Sequence, residues 1–172
     1  ALAFIGDTLS MDGEKVPELF IVSLPRTEAA WKQAGDRPLA GTPDTLPAPP
    51  AGVMQKRLTF THDRPFPGLA STPRHWVRSN PQATAIAFLM RDEQGIVQLW
   101  LISPEGGEPR QLTHNASDIQ SAFNWHPSGN ALGFVLENRI AMCDAQRGDI
   151  TFLTTDHENA PAADAVVFSP DG

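Results

Sequence analysis

The sequence predicts an all-β chain, a β-propeller segment of about three four-stranded antiparallel blades belonging to a larger ring. Two observations predict it. The first is a four-part pattern of short apolar segments that recurs along the 172 residues. The second is its period, 46 residues from Pro81 to Pro127 and 43 from Pro127 to Pro170. That spacing suits one four-stranded blade per unit.

Lettering the segments A to D within a unit, B reads Ala1-Leu2-Ala3-Phe4-Ile5, Ala85-Ile86-Ala87-Phe88-Leu89 and Ala131-Leu132-Gly133-Phe134-Val135. Segment C follows as Leu19 to Ser23, Leu99 to Ser103 and Ile140 to Asp144. Segment D is Arg57-Leu58-Thr59, Gln111-Leu112-Thr113 and Phe152-Leu153-Thr154. Segment A precedes a proline turn at Ser79-Asn80-Pro81, Trp125-His126-Pro127 and Phe168-Ser169-Pro170. Pro127-Ser128-Gly129 and Pro170-Asp171-Gly172 pair a fixed φ with a residue free to take positive φ, as a tight turn requires. Asn80-Pro81-Gln82-Ala83 lacks that glycine, which predicts a differently built hairpin. The order along the chain is BCD, ABCD, ABCD, A, twelve strands in permuted register. Blade boundaries fall near 1–70, 71–118 and 119–160, with the start of a further blade over 161–172. Propellers have about four to eight blades, and an open three-blade array would leave bare strand edges. The remaining blades therefore come from the rest of a longer chain or from a second copy.

Residues 25–56 break the period between C and D of the first unit. Thr27 through Gly35 predicts a short helix, with Thr27 as N-cap and Gly35 as the stop. Pro38, Pro43, Pro47, Pro49 and Pro50 then predict an extended loop, because proline donates no ladder hydrogen bond. The insertion reads as a tolerated surface loop or as an arm that meets a neighbour, with Trp31 its one partner-facing tryptophan.

The formal charge of −7 argues against nucleic acid, whose binders cluster Lys and Arg. Apolar runs such as Ala85 to Met90 are too short for membrane insertion through a helix. The first residues lack a signal-peptide pattern, and the missing initiator Met predicts an upstream or processed N-terminus. A single cysteine, Cys143, predicts a buried thiol within a strand and leaves bacterial cytoplasm and periplasm both open.

Phe168-Ser169-Pro170-Asp171-Gly172, and Gly106 through Thr113 leading the outer strand, resemble TolB-type propeller repeats. Arg57-Leu58-Thr59-Phe60-Thr61 with Arg74-His75-Trp76, and Asp92 through Gln98, are similar to a bacterial family of uncharacterised TolB-like propeller proteins. The resemblance covers nearly the whole chain as a portion of a longer protein. It implies six- to eight-bladed rings that serve mostly as interaction or substrate-binding platforms. Among related propellers, oligogalacturonate lyases hold a divalent metal with histidines and a glutamine at the ring's mouth.

Aligned on the proline turns, His75, Ser121 and Asp164 share one repeat position, and Arg74, Gln120 and Ala163 the position before it. A strands line a propeller's central channel, so the first three side chains are candidates to converge at its mouth, beside Arg74. His75 is the candidate ligand for a divalent metal, with the Arg74 cation keeping its ring neutral. Ser121 is a poor ligand beside it, so no metal site or cofactor is assigned. The bland alternative is a polar strand start with local hydrogen bonds. His62, His114 and His157 fall in loops past the outer strand without metal-motif spacing, and His126 sits in a turn. Trp76, Trp100 and Trp125 read as blade-packing residues. No Gly-x-Ser-x-Gly elbow or Gly-Lys-Ser/Thr loop occurs. Two functions remain: a non-catalytic platform for a protein or glycan partner, or a polysaccharide-lyase-like or hydrolase-like enzyme working at the channel mouth.

Overall fold

The computed structural model describes residues 1–155, 161, 164 and 166–171. His157, Ala163 and Gly172 lie outside the described residues. Among the described residues, regular structure is strand, apart from one helix of a single turn. The strands are β1 (Leu2–Leu9), β2 (Lys15–Val22), β3 (Gln55–Arg57), β4 (Arg78–Ser79), β5 (Ile86–Arg91) and β6 (Val97–Ile102). They continue as β7 (Arg110–Gln111), β8 (Asn124–Trp125), β9 (Ala131–Leu136), β10 (Arg139–Asp144) and β11 (Ile150–Phe152). Helix α1 is Glu28–Trp31.

The strands form three antiparallel sheets in simple up-and-down order: β1-β2-β3, β4-β5-β6-β7 and β8-β9-β10-β11. Each is one blade of a larger propeller, and the first lacks an A strand among the described residues. The registers are the same in each unit. Phe4 pairs Phe20, Phe88 pairs Trp100 and Phe134 pairs Ala141.

The middle blade explains why β5 and β6 read as continuous apolar runs instead of alternating ones. Successive side chains of a strand point to opposite faces, and here both faces are covered. Ile86, Phe88, Met90, Trp100 and Ile102 pack with Leu19, Leu58 and Leu69 of the first unit. Ala87, Leu89, Val97, Leu99 and Leu101 pack with Leu112, Ile119, Phe123, Leu132 and Phe134 on the other side. Full burial of each such side chain is worth roughly 1.5–3 kcal/mol, so the stacking of blades, more than strand propensity, holds the array.

Cations stitch blade to blade at the outer strand. Lys56 Nζ donates to the Glu105 carbonyl at 2.5 Å, and Arg110 Nη2, at the equivalent position, donates to the Ala145 carbonyl at 2.7 Å. Both carbonyls belong to the C–D hairpin of the next blade.

The Asn80–Ala83 hairpin is built like its glycine-bearing counterpart, contrary to the sequence expectation. Ala83 N donates to Asn80 O at 2.9 Å, as Gly129 N donates to His126 O at 2.8 Å. Ala83 takes φ 55° where Gly129 takes 76°. Asn80 Oδ1 accepts from the Thr84 and Ala85 amides at 2.8 and 3.0 Å, which helps hold the alanine in a backbone region it does not favour.

In the insertion, Thr27 caps α1 by accepting from Ala30 N at 3.2 Å. The helix ends at Trp31 instead of running toward Gly35. Ala51 N donates to Gln33 O at 2.8 Å, and Ala34 bridges Pro50, which pulls the chain into an extended path. No residue from 36 to 53 is buried.

Candidate functional site

The path into the A strand of the middle blade places the candidate residues. Leu69 N donates to Pro17 O and Ala70 N to Leu89 O, both at 2.8 Å. These bonds lay the chain across the first two blades. After the cis Thr72–Pro73 peptide the chain turns back and His75 faces inward. Its Nε2 accepts from Leu89 N at 3.1 Å, and its Nδ1 lies 3.2 Å from Pro73 O. A backbone N–H can only donate, so Nε2 is the bare nitrogen and Nδ1 carries the proton that it gives to Pro73 O. The ring is buried and sits 6.0 Å from the Phe123 ring.

Ser121 occupies the same role one blade on. Its Oγ accepts from Val135 N at 2.8 Å and donates to Ala122 O at 2.7 Å. Gln120 N donates to Val135 O at 2.9 Å, as Ala70 N does to Leu89 O. Each residue is thus a latch that satisfies the fifth residue of the neighbouring B segment, whose amide would otherwise be buried without a partner. Asp164, the third member, is exposed.

The hydrogen bonds of His75 and Ser121 run to separate blades. His75 and Arg74 line a shallow pocket of about 170 Å³ with Ile5, Pro17, Leu69 and Ala70, and neither Ser121 nor Asp164 borders it. Burial holds the His75 pKa below its ordinary 6.5, opposed by the hydrogen bond to Pro73. The cause is therefore loss of water, and the Arg74 cation expected from the sequence has another place. Arg74 stacks over the Trp76 ring at 5.3 Å from its centroid. Trp76 is 63 % exposed and does not pack between blades, unlike Trp100 at 6 %. Alternation explains it: with His75 turned in, Trp76 turns out.

The remaining sequence candidates are similarly engaged. His126 bonds to Ser128 Oγ at 2.8 Å and packs edge-on to Phe168 at 5.0 Å. His114 lies 3.1 Å from Gln111 Nε2, and His62 lies 3.1 Å from Asp63. Trp125 Nε1 donates to Arg78 O at 2.9 Å across the blade boundary. Cys143 is buried and its thiol is pushed up to about 12, first by burial and then by the charge of Asp144. That makes it inert as a nucleophile. Among the described residues, no group of three His, Cys, Asp or Glu side chains is placed to hold a metal ion.

A cleft of about 530 Å³ opens between the second and third blades and is lined by Asn80, Arg110, Trp125, Asn130 and Asp144. Arg110 is held by the Ala145 carbonyl, and Asp144 Oδ1 accepts from the Gln146 and Arg147 amides at 2.9 and 2.7 Å. Among the described residues, no nucleophile paired with a base borders it.

Sequence reasoning missed one repeat position. Glu18, Gln98 and Arg139 stand just before the residue whose amide the Thr of segment D accepts. Leu19, Leu99 and Ile140 donate to the Oγ1 of Thr59, Thr113 and Thr154 at 2.9, 3.0 and 3.0 Å. Glu18 is fully buried, and it accepts from Arg57 at 2.7 Å, from the Thr61 amide and hydroxyl at 2.8 Å, and from the Thr59 hydroxyl. Gln98 accepts from Thr113 Oγ1 at 2.8 Å and donates to Asp92 Oδ2 at 3.0 Å. The signal was there: a polar residue immediately ahead of each apolar C segment.

Comparison with known proteins adds two likenesses. The chain is 74% identical over 172 residues to the uncharacterized protein YidR of Escherichia coli, an alignment that takes in all of this chain and 41% of that relative. The chain thus spans about two fifths of the length of the curated relative it matches. A solved structure, "putative TolB from Agrobacterium tumefaciens", superposes with a TM-score of 0.48 at 18% identity, covering 88% of this chain and 46% of that one. No family model matches the chain.

Proposed function

We propose that the chain is part of a non-catalytic β-propeller that binds a protein or glycan partner across its surface. The observation that carries this reading is the latch role shared by His75 and Ser121. His75, the most reactive-looking of the candidate side chains, spends both ring nitrogens on backbone groups, which leaves it no free nitrogen for proton transfer or a metal. Cation–aromatic pairs supply the recognition chemistry instead. Trp76 with Arg74, and Phe60 with Arg57 at 4.6 Å, present exposed rings of 63 % and 65 % beside positive charge. Exposed aromatic–Arg pairs of this kind anchor interfaces and stack on sugar rings.

The test is a fluorescence and calorimetric titration of the protein against a panel of neutral and acidic oligosaccharides and a peptide library. Trp76→Ala should weaken any binding by about tenfold, with unfolding midpoints unchanged. Depolymerisation of any panel polysaccharide, abolished by His75→Ala in a folded protein, would overturn the reading in favour of an enzyme.

A further inference from the structure

At the boundary between the second and third blades the chain carries polar groups that joining the blades does not require. Trp125, Asn130, Asp144 and Arg110 line the cleft there. One boundary earlier the same repeat positions hold Ser79, Thr84, Ser103 and Lys56. Arg110 and Lys56 stitch their blades alike. Asp144 Oδ1 accepts from the amide two residues on at 2.9 Å, and Ser103 Oγ does so at 3.1 Å. A serine suffices for that turn, so the second carboxylate oxygen of Asp144 is surplus to it. Thr84 Oγ1 accepts from Asn80 Nδ2 at 2.9 Å. The Asn130 side chain is exposed and, among the described residues, makes no hydrogen bond.

These groups define what the cleft can take. The Asn130 amide offers two donor hydrogens and an acceptor oxygen. Asp144 Oδ2 is an acceptor with the Arg147 guanidinium 3.4 Å away. Bonds from the Arg147 and Gln146 amides hold the Asp144 carboxyl below its ordinary range, so it stays ionised. Arg110 gives its two terminal nitrogens to the Gln146 and Ala145 carbonyls, at 3.4 and 2.7 Å, so the end-on fork that clamps a carboxylate is already engaged. Trp125 spends its N–H on Arg78 O at 2.9 Å, and its ring therefore offers a ligand carbon surface, together with Leu101 and Ala145. An anion would meet Asp144, and a cation would meet Arg110 and Arg147. An apolar ligand would leave the polar groups desolvated without partners. A neutral molecule rich in hydroxyls suits all of them, because each hydroxyl both donates and accepts and the C–H face packs on the ring. The volume, about 530 Å³, falls within the roughly 300–1,000 Å³ of small-molecule sites.

We infer that this cleft is a neutral-saccharide site, in which a sugar ring lies against Trp125 and its hydroxyls bond to Asn130, Asp144 and Arg110. The inference rests on the platform reading and takes its glycan partner, adding where a sugar of that partner is seated. Arg110 and Asp144 are fixed beforehand by backbone bonds, so little is left to order when the sugar binds.

The test is calorimetric titration of the full-length natural protein that contains this chain. The probes are cellobiose, maltose and N,N′-diacetylchitobiose, with digalacturonic acid as the charged control. At least one neutral disaccharide should bind saturably, about tenfold or more tighter than the diuronic acid. Asn130→Ala should weaken that binding about tenfold with an unchanged unfolding midpoint, and Asn130→Gln should recover part of the loss. Wild-type affinity in Asn130→Ala, with weakening by Trp76→Ala, would place the sugar at the exposed ring. That result would overturn this inference and leave the platform reading standing. Tighter binding of digalacturonic acid would overturn it as well. So would failure of all three neutral disaccharides to bind, and a peptide that still bound would then keep the platform reading.

Discussion

At His75 the decisive fact is which atom lacks a proton. The Leu89 amide needs an acceptor, so the ring folds neutral, and burial holds its pKa below the ordinary 6.5. The sign follows directly. The unfolded chain binds this proton more readily than the folded one, so stability rises with pH across the window between the two values. The contribution is complete above the unfolded pKa, about 6.5, and is lost progressively as pH falls toward the lower folded value. Urea unfolding of the wild type should therefore weaken between about pH 7 and pH 5, and His75→Ser should flatten that slope. Equal slopes in the two proteins would show that His75 is not the group responsible. The repeat position of His75 and Ser121 is legible in the sequence. Its purpose is not, because the sequence displays the polar side chain but hides the N–H it serves. Glu18 and Gln98 were hidden for the same reason: their partners lie more than a dozen residues away, on segment D.

Elements repeat well where turn chemistry is local and poorly where a neighbour decides. The B and C strands and the proline turns follow from apolar pattern and from Pro and Gly placement. Helix α1 stops short because Pro50 and Ala51 capture Ala34 and Gln33, a contact no local pattern announces. Two glycines separate local from tertiary demand. Gly13 and Gly148 both have φ 81°. A Cβ on Gly13 meets nothing within 4 Å, whereas one on Gly148 would come within 2.1 Å of the Leu112 carbonyl oxygen in the preceding blade. Backbone strain of about 1–2 kcal/mol is common to both alanine variants. Gly148→Ala should lose about 1–3 kcal/mol beyond Gly13→Ala, through overpacking at the blade boundary. Chemical denaturation of the pair measures the difference, and equal losses would mean that the boundary yields freely.

Across the whole molecule the blades, and not single strands, are the unit of stability. The middle blade is buried on both faces, and the insertion stands off the array with Trp31 46 % exposed. The blade period was readable because four segments recur at nearly constant spacing. The local ties of His75 and Ser121 were not, since they depend on how each strand start is bonded to its neighbour. Central to the account is that His75 is a structural latch, and equilibrium unfolding of His75→Ala tests that most directly. Removing the acceptor leaves the Leu89 amide buried without a partner, so the variant should lose about 2 kcal/mol or more, with His75→Ser recovering part of it. An alanine variant as stable as wild type, yet stripped of a ligand or metal that the wild type binds, would contradict the account.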